Sequence, residues 1–227
     1  GLVGAAVATG IGQFVGGFIP LVYFLRPNKS LLRFTRTRLE IKPILRACGN
    51  GSSELLTNVA SSLVSMLYNF RLLVYFGENG VSAYGVIMYV QFIFLAIEIG
   101  YSVGVAPIIS YNYGSGNKGE LKNLFKKSLI VMSFSGVILA AAAEALAVPL
   151  SMLFVGYDKE LFDLTVFAFR IFSIAFVFSG VNIFSSGFFT ALNNGVVSAI
   201  LSFSRALVLQ VGFVLLLPAV FGANGIW

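Results

Sequence analysis

The sequence contains no histidine, one cysteine and one tryptophan, and charged residues make up only 11% of its 227 positions. Each scarcity removes a class of chemistry. Without histidine, the commonest metal ligand and the side chain that titrates nearest neutrality are both missing. A lone Cys48 permits neither an intrachain disulfide nor a paired-cysteine metal site. No nucleophile–base signature is present, so the chain is not expected to be an enzyme. No cofactor motif stands out either. The glycine-rich run YNYGSGNKGELKNLFKK lacks both the GxxxxGKS/T spacing and the preceding strand of a phosphate-cradling loop. What is abundant is apolar: 58% of residues are hydrophobic and 23 are Phe. A soluble domain carries roughly 25% charged residues, so the composition is that of a membrane protein. The net charge of +6 falls in loops beside hydrophobic runs. That is the lysine and arginine bias of cytoplasmic loops and does not call for a nucleic-acid partner.

The hydropathy predicts an all-α, polytopic helix bundle. Six spans are expected at about 1–25, 43–76, 83–110, 128–155, 161–192 and 196–221, each long enough for the ~20 residues a bilayer crossing takes. Pro107 is expected to bend or end the third span. The connections are 26–42, 77–82, 112–127, 156–160 and 193–195, and they carry six, none, four, one and none of the lysines and arginines. The positive-inside rule therefore places 26–42 and 112–127 in the cytoplasm and 77–82 and 156–160 outside, for a multi-pass protein of the plasma (inner) membrane. The segment 26–42, the longest polar connection, is the expected boundary between lobes. The chain opens on Gly1 inside an apolar run and closes on Trp227, and it reads as a piece of a longer protein.

Polar residues inside the spans carry the functional expectation. Glu54, Asn58, Ser61, Ser62, Ser65 and Asn69 fall within about a quarter of a helix circumference at ~100° per residue. Leu55, Leu56, Val59, Leu63, Leu67 and Phe70 cover the other side. Such a stripe is costly in hydrocarbon unless it faces helices or water, so it is expected to line an interior path. Serines and asparagines alone would serve as glue between helices; the glutamate favours the path. Tyr84, Gln91, Glu98 and Ser102 share a face in the third span, and Ser133, Gly136, Ala140 and Glu144 share one in the fourth. Ser179, Asn182, Ser186 and Thr190 do so in the fifth, and Ser198, Arg205 and Gly212 in the sixth.

Glu54, Glu98, Glu144 and Arg205 lie inside their spans, where each costs on the order of 3 kcal/mol unless paired or hydrated. Glu144 lies toward the outer end, within reach of water. Arg205 is expected to pair with one of the acids, and a structural Glu98–Arg205 ion pair competes evenly with a functional role for both. A carboxylate drawn out of water can exchange a proton near neutral pH, or hold Na⁺ with neighbouring oxygens. Glu54 with Asn58 beside it offers that chemistry for cation coupling. Ser61, Ser65, Asn69, Gln91, Glu98, Asn182 and Arg205 are the expected lining of the transport pathway.

Four stretches carry a family resemblance. GAAVATGIGQ at 4–13 resembles the opening of the sixth helix of the MATE (multidrug and toxic compound extrusion) family. NGSSELLTNVASSLVSMLYN resembles the seventh helix of its bacterial MepA-like branch, and APIISYNYGSGN at 106–117 and FFTALNNG at 188–195 the segments after the eighth and tenth. The resemblance implies a twelve-helix antiporter of two six-helix lobes. On that map, residues 1–25 are the last helix of the first lobe, 26–42 the linker and 43–227 five helices of the second. It further implies a full-length monomer that exports amphipathic or cationic drugs against Na⁺ or H⁺, with no other cofactor. Glu54 matches the family's seventh-helix acidic position. The tenth-helix Asp of some members is not found between Leu164 and Leu192. A lipid-linked oligosaccharide flippase of the same superfamily is the alternative, and it would be expected to carry more interior cations than Arg205.

Overall fold

The structure, a computed structural model, describes residues 2–26 and 40–227. Most of the basic linker expected at 26–42 lies outside the described residues. The chain divides into two compact units, Gly1–Pro43 and Ile44–Trp227. In the first, helix α1 (Leu2–Leu25) runs unbroken through Pro20, with Phe14 stacked on Phe18 at 5.5 Å.

The second unit is helical, and among the described residues there is no strand. Helix α2 (Ile41–Gly114) has 74 residues, or about 110 Å at 1.5 Å per residue, far more than one bilayer crossing. It is divided at Gly77, whose φ of 62° and ψ of −150° break the helical run. Only glycine adopts that backbone without strain. The arms 41–76 and 78–114 are each long enough to cross. The expected turn at 77–82 thus shrinks to one residue, with helix resuming at Glu78. The arms meet beside the break, where the rings of Tyr68 and Tyr84 stack at 5.2 Å. Leu72, Tyr84 and Ile226 pack there with Trp227.

The expected loop at 112–127 is also mostly helix. Pro107 interrupts nothing: α2 runs on to Gly114, and α3 (Lys118–Val155) begins after three residues. Asn117 caps α3 by accepting from the Glu120 amide at 3.1 Å, which satisfies one of the amides a helix start leaves free. Asp158 caps α4 (Lys159–Ser173) in the same way, accepting from Leu161 at 3.1 Å.

The fifth span, expected as one helix over 161–192, is two. Helices α4 and α5 (Phe176–Ala191) meet at a bend of 49°. Around it the backbone bonds tighten to an i→i−3 pattern, from Ile174 to Ile171, Ala175 to Phe172 and Val177 to Ile174. That pattern re-aims the helix without a glycine or proline. Asn193, at φ 57°, makes the turn into α6 (Gly195–Phe203). A π-helical turn (Ser204–Leu209), α7 (Gln210–Phe221) and a 3₁₀ turn (Gly222–Ile226) complete the last span.

The core lies between the second arm of α2 and helices α3, α4 and α5. Ile87, Val90 and Phe94 of α2 meet Leu139, Ala143 and Ala147 of α3, Ala168 and Phe169 of α4, and Phe176 of α5. Farther along, Ile109, Met132 and Phe184 form a second cluster. Inside a bilayer, apolar contact alone gives helices little reason to associate, so close backbone approach matters more. A Cβ on Gly136 of α3 would stand 2.7 Å from the Val177 carbonyl oxygen and 2.8 Å from that of Phe176. Gly136→Ala in the full-length protein should therefore cost about 1–3 kcal/mol by overpacking, read as a lowered thermal unfolding midpoint. Gly85→Ala, with nothing within 4 Å of the added carbon, should not lower it.

Candidate functional site

The polar residues of the spans fall into three places in the second unit. The first is the opening arm of α2. Glu54, Asn58 and Ser61 are exposed along it, Ser65 is half-buried, and Ala60, Val64 and Leu72 are buried. The stripe is tied to its own backbone: Ser62 Oγ donates to the Asn58 carbonyl at 2.9 Å, and Asn69 Nδ2 donates to that of Ser65 at 2.9 Å. Asn69 also lines an open hollow of about 540 Å³ beside the Gly77 break, with Phe70, Leu73, Glu78, Val81 and Ser82.

The second place is the inward face of the other arm. Residues 87, 90, 94, 98, 102 and 109, at three-, four- and seven-residue steps, are all buried. Gln91, four residues from 87 and seven from 98 on the same face, is half-buried. Glu98 is 1% exposed. Ser179 Oγ, in the first turn of α5, donates to its Oε1 at 2.6 Å and lies 3.0 Å from the Phe176 carbonyl. One hydroxyl hydrogen serves only one of those acceptors at a time. Oε2 of Glu98 has no hydrogen-bond partner among the described residues. Gly180 makes room for the carboxyl, since a Cβ there would stand 3.1 Å from Oε1. Two turns on, Gly187 gives the same room to the Ser102 hydroxyl.

The third place lies between α5, α6 and the π turn. A cavity of about 60 Å³ is lined by Asn182, Ser185, Ser186, Leu201, Ser202 and Arg205. Hydroxyls knit its walls together. Ser186 Oγ is 2.6 Å from Ser202 Oγ and 2.9 Å from Ser198 Oγ, and Thr190 Oγ1 is 2.8 Å from Ser198 Oγ. Asn194 caps α6 through the Val197 amide at 3.3 Å. The start of α2 closes on this hairpin, where a Cβ on Gly195 would stand 2.7 Å from Asn50 Cα. Asn50 Nδ2 donates to the Thr190 carbonyl at 3.3 Å.

These placements correct the expected charge pairing. Glu98 and Arg205 do not meet: Glu98 points toward α3 and α5 at Met132, Ser179 and Gly180, while Arg205 lines the cavity. Arg205 forms no contact ion pair with Glu54 or any other acid among the described residues. Glu144 is paired as well as near the surface. Its Oε1 is 3.2 Å from Arg170 Nε, both side chains being about half exposed, and Ser173 Oγ donates to its Oε2 at 3.4 Å. Ser185 and Ser202 were missed in the sequence. Ser202 follows Ser198 by four residues, a helical spacing that could have revealed it.

Comparison with known proteins agrees with this architecture. A family profile described as MatE matches residues 54–216. Multidrug export protein MepA of Staphylococcus haemolyticus (strain JCSC1435) is 25% identical over 228 residues, covering 99% of this chain and 49% of that protein. Its counterpart from Staphylococcus aureus (strain MSSA476) is 24% identical over 240 residues, with the same coverage. The chain therefore spans about half the length of these relatives. Among solved structures, MATE in complex with MaL6 superposes with a TM-score of 0.90 at 20% identity, over all of this chain and 52% of that one. An outward-facing multidrug resistance MATE transporter of the MOP superfamily gives 0.88 at 21%, over all of this chain and 51% of that one. With the profile covering well over half of its residues, this multi-pass membrane chain belongs to the MatE family of transporters.

Proposed function

We propose that the chain is part of a two-lobed efflux antiporter that exports amphipathic or cationic small molecules against Na⁺ or H⁺. It would supply the last helix of the first lobe (1–25), the cytoplasmic linker (26–42) and five helices of the second lobe (43–227), within a full-length monomer. One observation carries the reading: Glu54 is exposed on an arm of α2 that also exposes Leu55, Leu56, Val59 and Leu63, with Asn58 one turn away. An acid placed so can take and release a cation. The names of the MepA relatives supply the substrate class. Alternating access in carriers of this kind uses two lobes rocking about a site near the bilayer midplane. Asn58, one turn from Glu54, offers a carbonyl oxygen to a bound ion, and Ser61, Ser65 and Asn69 continue the polar track toward the hollow beside Gly77. Gln91 and Glu98 stand on the other arm, and Asn182 and Arg205 at the cavity. A flippase for a lipid-linked pyrophosphate has less support, because Arg205 is the one cation lining the cavity among the described residues.

Glu54→Gln keeps shape and hydrogen bonding and removes the exchangeable charge. In the full-length protein it should leave membrane expression near normal and drug binding measurable. Uphill efflux driven by a Na⁺ or proton gradient, measured in vesicles, should fall at least about tenfold, a loss of roughly 1.4 kcal/mol of coupling. Normal pumping by the variant under both gradients would place the coupling site elsewhere. The orientation is tested separately. Single cysteines at Lys118 should react with an impermeant thiol reagent from the cytoplasmic side only, and those at Asn79 and Lys159 from outside only. Labelling of the Lys118 position from outside would overturn the topology.

A further inference from the structure

Arg205 presents five N–H donors in a planar fork. Among the described residues it makes no hydrogen bond and no contact ion pair, although it lines a polar cavity. The rest of the lining is already committed in most places. Ser185 Oγ donates to the Val181 carbonyl at 2.7 Å, and Ser186 and Ser202 bond each other. Asn182 is the other lining side chain with no hydrogen bond among the described residues, and it carries two amide donors. The donors left over are thus a guanidinium and a carboxamide converging on a space of about 60 Å³, room for more than a single water. What answers such a set is an acceptor, and a planar one suits a guanidinium best.

We propose that the Arg205 cavity is a binding site for the carboxylate group of a small-molecule ligand. One guanidinium balances a single negative charge, so a monoanion fits better than a phosphate dianion. Leu201 adds an apolar wall for the carbon skeleton that carries the carboxylate. The π turn aids the placement. Within it Arg205 lines the cavity with Asn182 and Ser186 of α5, and turns of this kind recur at functional sites. The inference rests on the efflux reading only for the route by which the ligand arrives.

The test is binding to the purified full-length protein in detergent. Sodium acetate replaces sodium chloride at fixed ionic strength, and the thermal unfolding midpoint is the readout. The wild type should show a saturable rise with acetate. Arg205→Gln should weaken the apparent affinity about tenfold or more, the scale of a lost charge-assisted pair. Arg205→Lys, which keeps the charge and loses the fork, should fall between the two. If Arg205→Gln yields no folded protein, Arg205→Lys and the exposed-site variant Asn182→Ala carry the comparison, both expected weaker than wild type. The carboxylate site is overturned if exchanging chloride for acetate has no saturable effect, or if the Arg205 variants respond as the wild type does. Binding is read without transport, so its failure leaves the efflux reading standing, and a protein that binds acetate but pumps nothing sinks the efflux reading alone.

Discussion

A carboxyl group in the middle of a membrane helix has no water to turn to, and Glu98 answers that constraint inside the protein. Its one hydrogen bond reaches Ser179 in the first turn of α5, and Gly180 beside it removes the side chain that would stand in the way. The same turn of α5 presses the carbonyls of Phe176 and Val177 onto Gly136 of α3. Helix α5 is therefore fixed from two sides at the point where it leaves the bend from α4. Displacing it would expose the carboxyl, free the Phe176 carbonyl and open the apolar cluster of Phe94, Ala143 and Phe169. The bend, the glycine contacts and the buried acid form one arrangement and fail together.

The class of fold was legible because composition and span length report directly on the solvent, and lipid leaves few options besides helices. The inward face of the second arm of α2 was legible too, since Tyr84, Gln91, Glu98 and Ser102 repeat at helical spacing. Hidden features were those set by tertiary contact. Nothing in RIFSIAFVFSG marks the 49° bend, which has neither glycine nor proline and is held by packing on α3. SRALVL gives no sign of a π turn, and the sequence alone does not place Arg205 against any one of the acids. Polar composition also misled at 112–127, where Lys, Asn and Glu are good enough helix formers to extend α2 and α3 through what reads as a loop. At Gly77 the reading was nearer the truth: the break is real, but one glycine suffices where a turn of several residues was expected.

The three polar places sit on the same unit and are linked by more than proximity in sequence. The α5–α6 hairpin holds the hydroxyl cluster, the cavity with Arg205, and the docking point for Asn50 at the start of α2. Four residues on from Asn50 stands Glu54. A change of charge there acts on an arm that is tethered at the hairpin and jointed at Gly77, with Tyr68 and Tyr84 stacked across the joint. The first arm also buries Ala60, Val64 and Leu72 along its length, while the second buries residues from Ala83 to Ile109.

The π turn at Ser204–Leu209 carries one more consequence. Adding one residue to an α-helix rotates everything beyond it by ~100°, which would turn the buried face of α7 outward and carry Val214, Pro218 and Ile226 away from their contacts. A single wide turn absorbs the extra residue where it arises, so the phase of the helix is restored by Gln210. A relative lacking one residue in this stretch should keep the fold and lose the arginine's position.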